Sequence, residues 1–288
     1  MRWLYHVSVS RSAPEERSEG FVHCSFQPDV RETIGLHFAH VPLGDLRVSR
    51  MDPRRVADVR TEVVASRGKA MPHAYGPLVG DAIAETLDVN AVDAAPDAVT
   101  GTRFALVGFA GMTLLDLVGV LDPLSRIASM DVDRDASVEV LSATDEPWTA
   151  SGARFAATRV RPPLDAFDVL VVAGGPETRK LEHDTRVIDW LRTFPENRIT
   201  ASVCTGALLL GAAGRLRGKR ATTHHASLDQ LPRLGATPVR ERVVRDGQLF
   251  TAGGVTSALD LGLTLVMHIY GEAAGARIAA RMEYPAAP

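Results

Sequence analysis

Four short runs of apolar and β-branched residues constrain the fold most: Arg103 to Phe109 (RFALVGF), Ser137 to Ala143 (SVEVLSA), Asp168 to Ala173 (DVLVVA) and Ile199 to Val203 (ITASV). Helical patterns separate or follow them, at Met112 to Ser129, at Asp184 to Phe194 and in the small apolar segment after Cys204. Near-continuous Val/Leu/Ile strands alternating with helices predict a mostly parallel sheet covered on both faces. Arg240 to Arg245 and Gln248 to Ala252, split by Asp246-Gly247, read instead as a hairpin. Helices from about Thr256 to Ile269 and from Glu272 to Met282 close the chain.

The chain has 288 residues, which suggests two domains at about 100 to 200 residues each. Asp88 to Thr102 (DVNAVDAAPDAVTGT) lacks sustained helical or strand periodicity, so residues 1–90 read as one domain, 91–102 as a linker and 103–288 as a second domain. The 45% hydrophobic and 23% charged content fits a globular protein, and the net charge of -3 gives no reason to expect a nucleic-acid partner. Cys24 and Cys204 form neither a disulfide framework nor a metal-spaced pair, which points to a reducing compartment. No stretch has the features of a signal peptide or a membrane span, so the expected setting is cytoplasmic.

In a parallel sheet of this kind, ligands bind beyond the carboxyl ends of the strands. Three segments fall there. In ITASVCTGA the β-branched run ends at Cys204, with Thr205 next and Gly206 two residues on. That pattern places a thiol on a sharp strand-to-helix turn, where a helix N-terminus favours thiolate and a nucleophile. It fits equally a small buried residue between strand and helix. Gly174-Gly175-Pro176 could bring backbone amides close to a reacting group, as an oxyanion hole requires, or could be an ordinary turn. Asp116, in the apolar run MTLLDLVGV, could be a desolvated acid with a raised pKa, or a carboxylate bonded to nearby backbone.

Together these segments resemble the PfpI branch of the class I glutamine-amidotransferase-like superfamily, and most closely its isonitrile hydratases. The likeness is carried by LLDLVGVLDPL (Leu114 to Leu124), VLVVAGGPETRKL (Val169 to Leu181), ASVCTGALLLGAAGRLRGKRATTHH (Ala201 to His225), LGATPVRERVVRDGQLFTAGGVTSALDL (Leu234 to Leu261) and EYP (Glu283 to Pro285). It implies an α/β flavodoxin-like sandwich, usually a homodimer, acting on a small molecule with no metal or organic cofactor. The implied catalytic residues are Cys204 as nucleophile, Asp116 as the facing acid and Thr205 as the adjacent hydroxyl. Gly174, Gly175, Gly206 and His224 are the implied oxyanion or substrate-binding group. Two departures stand out: Glu177, where relatives often have glycine, could crowd the entrance, and His225 stands where tryptophan is common. His268 and Glu272 are not placed as an amidotransferase triad requires, which disfavours a glutaminase.

The first domain carries five of the nine histidines. Its segments LYHVSV, EGFVHCSF and AMPHAYGPL resemble a small uncharacterised bacterial family whose members carry YHI, GFIHCS and PHLYGPL. That fold is thought to be distantly like ADP-ribosyltransferases, which implies a compact α+β domain with a cleft. The usual tryptophan-bearing segment is shortened here to SRSAPEERSE. His6, His23, Ser25, His73 and Tyr75 are the candidate pocket residues, although buried His and Tyr can also simply satisfy one another in a small core. The HFAH spacing of His37 and His40 permits a metal pair on a helix face, with no third ligand in sight.

The expected activity is hydration of an isonitrile to an N-substituted formamide through a cysteine thioimidate. The alternatives are a glyoxalase-like or other cysteine-dependent hydro-lyase, and a non-catalytic ligand or redox sensor of the same fold. Regulators of that kind usually append a helix-turn-helix domain, for which the chain to Pro288 leaves no room.

Overall fold

The computed structural model describes residues 2–9, 21–56, 58–65, 67–75, 82–95, 99–145, 148–150 and 152–285. SRSAPEERSE and the GPL of AMPHAYGPL lie outside the described residues. The chain divides into two compact units, Met1–Val99 and Thr100–Pro288.

In the first unit, β1 (Leu4–Val9), β3 (Leu46–Met51) and β6 (Ile83–Leu87) form one antiparallel sheet, in the order β1-β3-β6. A second antiparallel sheet runs β2 (Phe21–His23), β5 (Lys69–Tyr75), β4 (Asp58–Val64). The two meet where Tyr5 and Ser25 exchange backbone hydrogen bonds of 2.9 and 2.8 Å. Helix α1 (Val30–His37) buries Val30 and Ile34 against Tyr5, Val7, Leu46 and Val48. This is a small α+β unit.

The expected linker is partly folded: Val89–Ala94 forms a 3-10 helix, and Val89 and Val92 are buried in the core of the first unit. Three residues per turn put those two valines on one face, in a run too short for a sustained helical or strand period to register.

In the second unit, β7 (Arg103–Gly108), α2 (Leu114–Ser129) and β8 (Ser137–Ser142) are followed by a small hairpin, β9 (Trp148–Ala150) and β10 (Ala153–Phe155). Next come β11 (Arg159–Val160), β12 (Val169–Val172), α3 (Thr178–Leu181), α4 (Thr185–Arg192), β13 (Ile199–Val203) and α5 (Gly206–Ala212). A short parallel pair, β14 (Arg220–Ala221) and β15 (Thr237–Pro238), precedes β16 (Val243–Asp246), β17 (Leu249–Ala252), α6 (Ser257–Tyr270) and α7 (Glu272–Arg281).

The main sheet has seven strands in the order β11-β8-β7-β12-β13-β17-β16, parallel throughout except for the β16–β17 hairpin. Every residue of β12 and β13 is buried, as apolar strands covered on both faces must be. One layer contains α2, α6 and α7. Gly119 lies against Ala258 and Gly262 against Pro123, so close that a Cβ at either glycine would come within 2.7 or 2.3 Å of the partner side chain. Helices α3, α4 and α5 form the other layer. A mostly parallel sheet between two helical layers is the flavodoxin-like sandwich that the alternating pattern predicts.

Strands β7, β12 and β13 are neighbours, and their carboxyl ends open onto three loops side by side. The loop after β7 leads into α2 and carries Asp116 in the first turn; the loop after β12 is Gly174-Gly175; the turn after β13 is Cys204-Thr205.

Candidate active site

Cys204 has φ +54°, in the left-handed region. A side chain there costs roughly 1–3 kcal/mol, so the surroundings must impose it. They do so through both backbone groups. The Cys204 amide donates to the carbonyls of Ala252 and Gly253, each at 2.9 Å, and its carbonyl accepts the Thr223 hydroxyl at 2.7 Å. Gly206 then sits so close to the end of β12 that a Cβ would lie 2.3 Å from the Val172 carbonyl. Only glycine lets α5 start there.

The thiol faces Asp116. Cys204 is 5% exposed and Asp116 is 0% exposed, so both protonation states are decided in a largely dry environment. Burial pushes the Asp116 carboxyl up to about 7, against the opposing pull of the Cys204 thiol and the Gly174 amide. Burial, and then the Asp116 charge, push the Cys204 thiol up to about 12, outweighing the Thr205 amide that favours thiolate. Burial and the facing carboxyl thus oppose the thiolate that the helix N-terminus favours. The buried thiol and the buried carboxyl titrate against one another.

Each oxygen of Asp116 has a different environment. Oδ2 accepts the Gly174 amide at 3.2 Å, while Oδ1 is buried with no hydrogen-bond partner of normal geometry among the described residues. A buried orphan oxygen is costly unless it is protonated or receives a ligand.

The glycine loop differs from a vacant oxyanion hole. The Gly174 amide is committed to Asp116, and the Gly175 amide donates to Thr205 Oγ1 at 2.9 Å. Thr205 Oγ1 lies 3.0 Å from the Gly175 carbonyl and also reaches the Cys204 thiol. Its hydroxyl thus clasps the two loops together. Gly175 has φ +146°, and a Cβ there would come within 2.7 Å of Met112 Cα, so the loop packs directly on the approach to α2. The Gly174 carbonyl accepts the Thr113 amide at 2.9 Å, closing the link between this loop and the helix that carries Asp116.

His224 follows Thr223, whose hydroxyl donates to the Cys204 carbonyl. With His225 it lines an open recess of about 500 Å³ between Thr222–Thr223, Arg240–Arg242 and Gly253–Ser257. Asp116 and Cys204 are not among the lining residues. His224 Nδ1 caps the following 3-10 helix through the Ala226 amide at 3.3 Å, and burial, then His225 and Arg179, hold its pKa below the ordinary value. Glu177 pairs with Lys180 at 2.9 Å and packs over Gly111. His268 is half-buried on α6 against Phe250, its pKa pushed down to about 3 chiefly by desolvation. Thr223 and the carbonyls of Ala252 and Gly253 are site groups that lie within the family-like segments but are not among the candidates singled out from the sequence.

In the first unit, His6, His23, Ser25 and His73 do line one cavity. Tyr75 does not: its hydroxyl donates to Glu62 at 2.9 Å. His37 ends α1 while His40 lies in the turn beyond it, so they do not share a helix face. Among the described residues no group of three or more His, Cys, Asp or Glu could hold a metal ion, and no helix is long and apolar enough to cross a membrane.

A parallel sandwich with a strained cysteine between strand and helix, facing a buried acid from the neighbouring loop, defines a class of cysteine-centred α/β proteins. Residues 103–268 match the family model described as DJ-1/PfpI family, and residues 4–86 match one described as a protein of unknown function, DUF952. An isonitrile hydratase of Pseudomonas putida is 40% identical over 182 residues, covering 62% of this chain and 77% of that protein. The HTH-type transcriptional regulator CdhR of Pseudomonas aeruginosa is 31% identical, over 56% of this chain and 48% of its own length. Among solved structures, a ThiJ/PfpI family protein from Pseudomonas syringae aligns with TM-score 0.58 and 29% identity, covering 66% of this chain and 78% of that one. Schizosaccharomyces pombe DJ-1, at TM-score 0.56 and 19% identity over 64% of this chain and 100% of its own, shares the fold. The chain belongs to the DJ-1/PfpI family.

Proposed function

We propose that the Thr100–Pro288 unit adds water to an isonitrile to give an N-substituted formamide. The observation that carries this reading is the geometry of the elbow: the Cys204 thiol, held at a left-handed φ and 5% exposed, faces the fully buried Asp116 carboxyl, whose Oδ1 has no hydrogen-bond partner among the described residues and whose pKa burial raises. An isonitrile carbon carries a lone pair, and it becomes electrophilic only as it takes a proton. It therefore needs an acid and a soft nucleophile on the same side, which a resting thiolate alone would not supply.

In the first half, Asp116 Oδ1 delivers a proton to the isonitrile carbon, Cys204 Sγ bonds to that carbon, and the thiol proton returns to Asp116. The sum is addition of S–H across one carbon, giving a thioimidate. In the second half, water adds to the thioimidate carbon with one proton passing to nitrogen. The C–S bond then breaks, the remaining hydroxyl proton reaches sulfur through Asp116, and the formamide leaves. Asp116 and Cys204 end as they began, and no cofactor enters the balance. Thr205 holds the geometry by clasping the Gly175 loop. The 40% identity to an isonitrile hydratase supports the same reading. The reading takes the active form to be a cytoplasmic homodimer.

The burial of Cys204, only 5% exposed, weighs against a redox sensor, whose cysteine must meet oxidants from solvent. Incubation of the full chain with a panel of alkyl and aryl isonitriles and with methylglyoxal, with Cys204→Ala as control, tests the proposal. Formamide from the parent alone is expected; consumption of methylglyoxal with no formamide would turn the assignment to the glyoxalase-like alternative.

A further inference from the structure

We propose that the cavity of the first unit is a second ligand site, independent of the cysteine chemistry, that takes a small phosphate monoester with a flat apolar body. The cavity encloses about 410 Å³, within the range of small-molecule pockets. None of its described lining residues is acidic, yet His6, His23, His37, His73 and Arg67 all line it.

Arg67 is the anchor. Thr33 Oγ1 donates its one proton to the Asp29 carbonyl at 2.9 Å, so it accepts from Ser25 Oγ at 2.7 Å and from Arg67 Nη1 at 3.1 Å. That chain fixes one edge of the guanidinium. The other nitrogen, Nη2, is buried with no hydrogen-bond partner among the described residues. The neighbouring carboxylates are already paired: Lys69 holds Glu32 at 2.6 Å and Asp29 at 3.4 Å, and Glu62, outside the lining, holds Nδ1 of the lining His73 at 3.0 Å. A guanidinium edge in a cavity without carboxylates calls for an anion from outside.

The histidines favour phosphate over carboxylate. His6 Nδ1 lies 2.9 Å from the His23 carbonyl, which can only accept, so Nδ1 carries a proton and Nε2 is the ring's other hydrogen-bonding atom. Nε2 accepts from a P–OH or, once protonated, donates to P–O⁻. A phosphate monoester changes protonation at about pH 6, close to imidazole, and so matches either form, whereas a carboxylate has no proton to offer at neutral pH. Val7, Phe38, Val64 and Met71 supply the apolar wall for the ester's body.

The test is calorimetric titration of the full chain with phenyl phosphate, inorganic phosphate, benzoate and phenol. Phenyl phosphate should bind about tenfold or more tightly than each of the others, because inorganic phosphate lacks the apolar body, phenol lacks the anion, and benzoate lacks the oxygens and the proton that a phosphate monoester offers the histidines. Arg67→Gln should weaken phenyl phosphate by about tenfold or more, the scale of one lost charged hydrogen bond, and leave phenol unchanged. His37 is exposed at the end of α1, so His37→Glu puts a negative charge at the cavity without touching the core. It should weaken phenyl phosphate even if Arg67→Gln fails to fold. No heat with phenyl phosphate at millimolar concentration, binding no tighter than phenol, or parental affinity in a folded variant overturns the site.

Discussion

Replacing Asp116 by Asn should move three observables in directions that no general loss of structure would produce together. The carboxyl rises from 3.8 to about 7 on folding, a shift of about three pK units or about 4 kcal/mol. The folded form holds its proton more tightly than the unfolded chain, so this stabilising contribution is complete below about pH 4. It is lost progressively as pH rises to about 7. Asn keeps the size and the acceptor for the Gly174 amide but cannot ionise, so the variant should gain stability over the parent at pH 8, by up to about 4 kcal/mol, and not at pH 4. The thiol should respond as well. At pH 8 the carboxylate opposes formation of thiolate, so its removal should speed alkylation of Cys204 by about tenfold or more, an effect that vanishes near pH 5.5 where Asp116 is neutral. Cys24, buried and held up at about 12, should stay slow in both proteins. Isonitrile hydration should fall by about a hundredfold or more as the general acid is lost. Thermal melts at both pH values, peptide mapping after iodoacetamide and a formamide assay read the three effects. A variant that melts no higher at pH 8, labels no faster, or hydrates at the parental rate would refute the paired thiol and acid.

Hydration by the parent should decline above about pH 7 as Asp116 loses its proton, and a pH profile of kcat/KM reads that limb. Thr205→Val strands the buried Gly175 amide, so a loss of about 1–3 kcal/mol in denaturant melts is expected, with hydration reduced as the Gly175 loop loosens. Residues 1–95 and 100–288, expressed separately, should each unfold cooperatively, and the second piece should retain hydratase activity; an inactive or insoluble second piece would place the boundary wrongly.

The central sheet and the elbow were legible because their signals are local. Val169–Val172 and Ile199–Val203 are apolar along their whole length, as a strand buried on both faces demands, and Gly206 follows Cys204 where α5 must approach β12. The state of the thiol was not legible. The dipole argument considers only the turn and α5, whereas burial and a carboxyl brought from α2 by the order of the strands act more strongly on the sulfur. The partners of the glycine amides were hidden for the same reason: Asp116 and Thr205 accept from Gly174 and Gly175 only once the three loops meet. In the first unit, His6, His23 and His73 were visible as candidates, but Arg67 became meaningful only through Thr33 on α1. Tyr75 was misplaced because Glu62, on the neighbouring strand, takes its hydroxyl.

The central claim is that an isonitrile passes through a covalent bond to Cys204. Rapid-quench mass spectrometry of the intact chain during turnover tests it directly. Addition of S–H across the isonitrile carbon incorporates the whole molecule, so a transient species heavier by one isonitrile should map to Cys204, decay as formamide appears, and be absent from Cys204→Ala. Formamide production at the parental rate by Cys204→Ala, with no adduct in the parent, would contradict the account.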